Sequence, residues 1–275
     1  MSKLILTVVI PSYNSEAYIE ECLKSIEREA QHGVEFILVD GASSDSTMEI
    51  VGKYAHLFSH VISERDSGQS EAFNKGFRLG KGKYLTWLNS DDVICPGALA
   101  RVLKKLSVSE KDWLVANSVY LNKLGNVTRC CCSGGFEHFA VKRGLLNVFG
   151  PSTFFSKKLF EEIGNLAEDY HFCMDTEYWW RIVASGRTYE RISIYFWGLR
   201  LHSEAKTANV LLINECPPEM VEERQKIALK YYPSVSPKEK YKAVRCARIW
   251  RILNTSYLRA GWDTFRFKGK CIETL

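Results

Sequence analysis

A chain of 275 residues with 46% hydrophobic and 25% charged side chains can bury a substantial core and has the composition of a globular protein, not a disordered one. Its net charge of +5 is modest, and no apolar run approaches the roughly 20 residues of a membrane-spanning helix. The opening Met1-Ser2-Lys3-Leu4-Ile5-Leu6, interrupted by Pro11 and Asn14, reads as a strand and not a signal peptide, so the chain is expected in the cytoplasm. Nine cysteines fit that compartment as free thiols. The contiguous Cys130-Cys131-Cys132 suits neither a disulfide framework nor tetrahedral zinc.

Residues 4–10 form a β-rich apolar run closed by Pro11-Ser12-Tyr13-Asn14. Ser15 is placed to cap a helix reaching about Glu29, with Tyr18, Ile19, Cys22 and Ile26 near one face. A second strand, 34–39, ends at Asp40-Gly41, and Ser44 or Asp45 can cap a helix from Thr47 to about Leu57. A short strand at 60–63, a helix at 70–80 with a glycine stop, and a fourth strand, Tyr84-Leu85-Thr86-Trp87-Leu88, follow. Strands alternating with helices predict parallel pairing. Beyond Pro96 the pattern predicts a helix at 98–106, a strand pair at 113–121 and 127–132, and a Gly-Pro turn within 149–155. It then predicts helices at 157–163 and 175–184, a strand at 189–197, and a helix from Pro217-Pro218 to about Tyr231. After a hinge at 233–237 comes a basic, aromatic helix or helix pair. Adjacent Trp179 and Trp180 cannot both face one core, so one could line a groove, although core packing is the ordinary use.

Four polar clusters lie just past predicted strand ends: Pro11-Ser12-Tyr13-Asn14, residues 40–47, residues 64–70, and Asn89-Ser90-Asp91-Asp92. In an open α/β sheet such ends share one edge, and ligands bind there. The paired carboxylates after the fourth strand can hold a hard cation beside phosphate oxygens. Alternatively, they cap the helix that starts near Pro96.

The order of these motifs resembles family 2 glycosyltransferases of the GT-A fold. The matching segments are Val8-Val9-Ile10-Pro11-Ser12-Tyr13-Asn14, Asp40-Gly41-Ala42-Ser43-Ser44-Asp45-Ser46-Thr47, the stretch 66–76 beginning Asp66-Ser67-Gly68-Gln69, and Leu88-Asn89-Ser90-Asp91-Asp92. Met174-Asp175-Thr176-Glu177-Tyr178-Trp179-Trp180-Arg181 resembles the catalytic acidic helix, with Met-Asp replacing the usual Glu-Asp. Arg200-Leu201-His202-Ser203-Glu204-Ala205-Lys206-Thr207 resembles the late segment near the diphosphate.

The resemblance implies an α/β fold: a GT-A, Rossmann-like, mostly parallel central sheet flanked by helices. It covers 1–215, with 216–275 a helical, basic extension. It implies an inverting, metal-dependent enzyme that moves a sugar from a nucleotide sugar to a glycan or polyprenyl-linked glycan hydroxyl in bacterial surface-polysaccharide synthesis. Pro11, Tyr13, Asn14, Asp40, Asp66, Gln69 and Asp91 are expected at the nucleotide. Asp40 would accept from an imide N–H, which favours a UDP-sugar. Asp92 and His202 are expected to hold Mg²⁺ or Mn²⁺, and Asp175 to act as base. Glu177, Arg181 and Lys206 are expected near acceptor or diphosphate.

Two rivals have sequence tests. A non-catalytic nucleotide-sugar binder could dispense with Asp175. A sugar-1-phosphate nucleotidyltransferase would need a Gly-rich, Arg-containing loop where Pro11-Ser12-Tyr13-Asn14 stands. Between Lys238 and Lys270 lie ten basic residues against Glu239 and Asp263. Interleaved with Trp250 and aliphatics, they suit peripheral contact with an anionic membrane, or a packed helix with a solvated basic face. No nucleic-acid-binding motif appears.

Overall fold

In the first strand, β1 (Leu6–Ser12), every residue is buried, so neither face of the sheet meets water. Leu6, Val8 and Ile10 enter one core, while Val9 enters the other. This is the period-two signature of a strand covered by helices on both sides. The computed structural model describes residues 4–135, 137–146, 148, 150–206, 215–253 and 255–274. Thr207 and Phe149, named in the sequence reading, lie outside them.

The further strands are β2 (Val34–Asp40), β3 (Phe58–Ser63), β4 (Tyr84–Trp87), β5 (Val93–Ile94), β6 (Trp113–Leu121), β7 (Val127–Cys131), β8 (Thr153–Ser156) and β9 (Glu190–Arg200). They form one sheet in the order β3-β2-β1-β4-β8-β6-β9-β5, with β7 paired to β6. The expected parallel pairing holds through β3, β2, β1 and β4. Beyond β4 the sheet is mixed. β8 runs antiparallel to both neighbours, β6 and β9 are parallel, and β7 and β5 are antiparallel to their partners. The β6–β7 link is a short turn, in which Asn122 Oδ1 accepts from the Leu124 and Asn126 amides. Strands joined so closely must run antiparallel.

Helices α1 (Ile19–Glu29) and α4 (Ala98–Val108) cover one face of the sheet; α3 (Gln69–Leu79), α6 (Lys157–Ile163) and α7 (Met174–Ala184) cover the other. The short helices α2 (Thr47–Lys53) and α5 (His138–Val141) lie between these layers in sequence. Helix α1 starts three residues later than the sequence suggests. The Ser15 hydroxyl turns instead toward Ser90, 2.8 Å away. Asp91 and Asp92 do not cap α4. The amides of Gly97 and Leu99 donate to buried Glu29 at the end of α1.

Three helices end the chain: α8 (Pro218–Tyr231), α9 (Pro237–Leu253) and α10 (Ser256–Phe267). α8 packs on α7, so α7 lies between the sheet and another helix. That explains why both tryptophans are buried. Trp179 stacks between Trp87 and Trp113, and Trp180 packs against Tyr231 and Tyr232. α10 lies on β7, and 269–272 bonds to the β6–β7 hairpin. None of the described helices is long and apolar enough to cross a membrane.

Gly76 sets the height of α3 over the sheet: a Cβ there would stand 2.4 Å from Val9 Cγ1. Overpacking costs about 1–3 kcal/mol, more than the roughly 1 kcal/mol that alanine gains in helix propensity. Gly76→Ala should therefore lower unfolding free energy by about 1–2 kcal/mol in denaturant titration. Stability equal to or above that of the native chain would mean that α3 does not press on β1.

Candidate active site

Residues from all four strand-end clusters line one cleft of about 1150 Å³, together with residues from α7, α8 and the end of β9. Pro11, Tyr13 and Asn14 come from the end of β1, Gly41 and Ala42 from β2, Arg65, Asp66 and Gln69 from the β3–α3 loop, and Asn89, Ser90 and Asp91 from β4. These loops are tied to one another. Asn14 sits at φ 45°, a left-handed conformation that asparagine tolerates. Its Oδ1 accepts from the Ser44 amide at 2.9 Å, and its own amide donates to Ser43 Oγ at 2.8 Å. Gln69 Nε2 donates to Asn89 Oδ1 at 2.9 Å.

The two adjacent aspartates diverge, as neighbours in an extended segment must. Asp92 is fully buried. Its Oδ1 accepts from the Arg200 amide at 2.8 Å, and its Oδ2 from Trp197 Nε1 at 2.8 Å and Asn89 Nδ2 at 2.9 Å. Burial, and after it the charge on Asp91, push the Asp92 carboxyl well up. Asp91 is the one that faces the cleft. Its Oδ2 lies 3.0 Å from His202 Nε2, and Tyr18 packs against the imidazole with ring centroids 4.5 Å apart. Asp91 thus lines the cleft, whereas Asp92, expected at a metal, is turned away from it by three donors behind the strand tip.

Arg200, not anticipated as a site residue, is fully buried. Its Nε donates to the Asp91 carbonyl at 3.0 Å and its Nη1 to the Lys123 carbonyl at 3.0 Å; Nη2 pairs with Glu21. The only sequence hint was an arginine two residues before the histidine at a strand end.

The other carboxylates sort in the same way. Asp40 is fully buried and accepts from Ser12 Oγ, Ser43 Oγ, Ser63 Oγ and the Ser43 amide. It braces the β1 and β2 loops and is not among the residues that line the cleft. Asp66 does line it. It accepts from the Gly68 amide at 3.0 Å, and burial pushes its carboxyl above the usual range. A Cβ at Gly41 would stand 3.2 Å from Asp66 Oδ2 and 3.3 Å from the Tyr13 ring. The absent side chain therefore lets Asp66 and Tyr13 both close on the tip of β2, and Tyr13 is 66% exposed.

Asp175 opens α7 and lines the cleft near Gly150. Burial pushes its carboxyl up, while bonds from the Thr176 amide and hydroxyl pull it back. Glu177 is buried on another side of α7, where it accepts from Arg181 Nε at 2.8 Å, Lys230 Nζ at 3.1 Å and Tyr231 OH at 2.7 Å. Arg181 also donates to the Asn165 carbonyl at 2.8 Å. These two residues fasten α7 to its surroundings and lie away from the cleft, contrary to expectation. Lys206 lines the cleft.

Two residues of α8 had no sequence signal. Arg224 lines the cleft. Glu223 accepts from three successive amides, His171, Phe172 and Cys173, just ahead of α7.

Asp91 and His202 offer one carboxylate oxygen, the donor that Mg²⁺ and Mn²⁺ favour, and one imidazole nitrogen, a donor of softer divalent ions. Among the described residues no cluster of three His, Cys, Asp or Glu groups could hold a metal. Two protein ligands are fewer than a protein-only metal cage needs, so a cation held by this pair would need further oxygens from a ligand or water.

Comparisons with known proteins agree with this geometry. The family model described as "Glycosyl transferase family 2" matches residues 7–164, more than half of the chain. The chain is 31% identical over 120 residues to "Glycosyltransferase GlyG" of Streptococcus pneumoniae, an alignment covering 42% of this chain and 40% of that protein. It is 30% identical over 164 residues to a "PGL/p-HBAD biosynthesis glycosyltransferase" of Mycobacterium tuberculosis, covering 55% and 64%. The chain thus spans less than two thirds of these relatives' lengths. Among solved structures, Staphylococcus aureus TarS in complex with UDP superposes with a TM-score of 0.58 at 20% identity, over 82% of this chain and 70% of TarS. A Pyrobaculum calidifontis mannosyltransferase in complex with GDP-Man and Mn²⁺ gives 0.55 at 17%, over 90% and 75%. At those identities the likeness is one of fold. The family match over the strand tips, and a GT-A-like sheet beneath them, make this chain a member of glycosyltransferase family 2.

Proposed function

We propose that the chain transfers a sugar from a UDP-sugar to a hydroxyl of a glycan or polyprenyl-linked glycan, with inversion at the anomeric carbon. The observation that carries this reading is the presence of the Asp91–His202 pair and Asp175 in one cleft, on separate elements. Nine free thiols suit a reducing, cytoplasmic setting for the reaction.

The uracil would lie in the cleft against Tyr13, its imide N–H donating to Asp66. A carboxylate can accept that proton, and the Tyr13 ring offers a stacking face. Asp91 and His202 would hold a divalent cation, which supplies Lewis-acid stabilisation of the departing diphosphate. Lys206 and Arg224 bring positive charge to the same cleft. Asp175 takes the proton of the acceptor hydroxyl as that oxygen bonds to the anomeric carbon. The bond to the diphosphate oxygen breaks in the same displacement, with oxocarbenium character as in glycoside hydrolysis. Glu223 holds the segment ahead of α7 and so fixes where Asp175 stands.

A panel of nucleotide sugars, scored for slow hydrolysis without acceptor, tests the donor. UDP-sugars should turn over in the presence of Mn²⁺, and Asp91→Asn should remove the metal requirement together with the activity. Preference for a GDP-sugar, or activity indifferent to chelator, would overturn the reading.

Asp175→Asn should lower turnover by about 10²–10⁴-fold, the usual contribution of a positioned base, with UDP affinity unchanged. Because burial raises the Asp175 carboxyl above its ordinary value, and the base acts only when ionised, the rate should fall with decreasing pH at a pH above about 4. Unchanged turnover in the variant would remove Asp175 from the mechanism.

A further inference from the structure

The C-terminal helix pair packs inward on one face and shows the opposite face to solvent. The inner contacts are specific. Thr264 Oγ1 accepts from the Cys130 amide at 2.9 Å, Asp263 Oδ2 accepts from Tyr195 OH at 2.7 Å, and Ser256 Oγ accepts from Arg191. The outer face of α10 carries Leu258, Trp262 and Phe265 at i, i+4 and i+7, exposed by 64%, 67% and 81%. Trp262 and Phe265 lie with ring centroids 6.2 Å apart. On α9, Ile249 and Ile252 are 55% and 52% exposed, in line with exposed Arg245. These bonds hold α10 in this orientation, and Arg251 of α9 donates to the Cys132 carbonyl at 2.9 Å, so the exposed apolar residues of α10 cannot turn into the core.

Charge on this pair has one sign. Of 37 basic residues in the chain, ten lie between Lys238 and Lys270, against two of its 32 acidic residues. Without that segment the chain would be net negative. Asp263, the acid on α10, is already committed to Tyr195 and lies 3.6 Å from Arg259. Arg248, Arg259 and Arg266 flank the apolar residues and are exposed.

We infer that this face of α9 and α10 seats on an anionic lipid surface. Protruding aromatic and aliphatic side chains bordered by arginine and lysine match an acyl boundary beneath negative headgroups. Each basic residue brought to such a surface raises partitioning about five-fold. A second copy of the chain is disfavoured because it would set two strongly basic faces against each other. A nucleic acid would engage the arginines and Trp262 but leave Leu258, Ile249 and Ile252 in water; a bilayer covers both kinds of residue. The inference is independent of the catalytic reading, since it involves no residue of the cleft.

The test is sedimentation of the full chain with vesicles of phosphatidylcholine, with or without about 30% phosphatidylglycerol. The protein should partition at least about ten-fold more strongly onto the anionic vesicles, and high salt should release it. Trp262→Ala with Phe265→Ala should weaken partitioning by about ten-fold or more, with circular dichroism and melting unchanged because both side chains are exposed. Arg245→Glu with Arg266→Glu should abolish the preference for anionic lipid. The inference is overturned by absence of vesicle binding at low salt, by equal partitioning onto neutral vesicles, or by native-like partitioning of both variants. It is overturned equally if the variants instead dissociate a dimer or lose binding to single-stranded RNA while the native chain ignores lipid.

Discussion

Asp92, a carboxylate with no exposure to water, joins two parts of the sheet that are not neighbours within it. β4 and β9 are separated by β8 and β6. Asp92, at the end of the loop that leads from β4 into β5, receives the amide of Arg200 and the indole of Trp197, both from β9. Arg200 reaches back to the Asp91 carbonyl, so the two tips are fastened in both directions. The two-residue strand β5, immediately after Asp92, pairs with β9 and completes the connection. The sheet curls, and Asp91 and His202, 111 positions apart in sequence, come within 3.0 Å. Burial of this carboxyl is costly and pushes its proton affinity up, and three donors offset part of that cost. The same donors keep Asp92 out of the cleft and leave Asp91 as the residue free to meet a ligand.

The opposite wall of chemistry depends on glutamates in the same manner. α7 carries Asp175, and its position is set from outside the strand framework. Glu223 of α8 accepts from the three amides ahead of α7, and Glu177 of α7 accepts from Lys230 and Tyr231 of α8. Two buried carboxylates, one on each helix, thus couple α8 to the helix that bears Asp175. Met220 and Arg224 of α8 line the cleft. The boundary drawn near residue 215 therefore separates the sheet from a helix that takes part in building its cleft. Asp175, His202 and Arg224 all lie beyond the 7–164 stretch that matches the family model, so the second half of the chain completes a site begun by the first.

The sheet was legible in the sequence because strands buried on both faces leave polar residues only their ends. The run Tyr84-Leu85-Thr86-Trp87-Leu88 before Asn89-Ser90-Asp91-Asp92 is such a case, and the four polar clusters do share one cleft. What could not be read was which of several carboxylates faces that cleft. Asp40 and Asp66 both follow strands, yet Asp40 is met by three serine hydroxyls drawn from three segments. Asp66 keeps an oxygen without a described donor. Local sequence does not encode donors that arrive from 23 residues away, as Ser63 does for Asp40, or from 108, as the Arg200 amide does for Asp92. Glu177 was misplaced for the same reason: its partners lie 53 and 54 residues on, in a helix that carries no motif. Trp180 belongs with it, since one tryptophan of the pair was free to line a groove until α8 covered it. β5, two residues long, is too short for any periodicity to reveal.

The account stands on the division between the two adjacent aspartates, Asp91 in the cleft and Asp92 behind it, and diffraction can address it directly. Crystals soaked with Mn²⁺ and UDP should show an anomalous peak between Asp91 Oδ2 and His202 Nε2, with Asp92 still bonded to Trp197 and the Arg200 amide. A peak ligated by the Asp92 carboxylate, or none in the cleft at saturating Mn²⁺ and UDP, would contradict it.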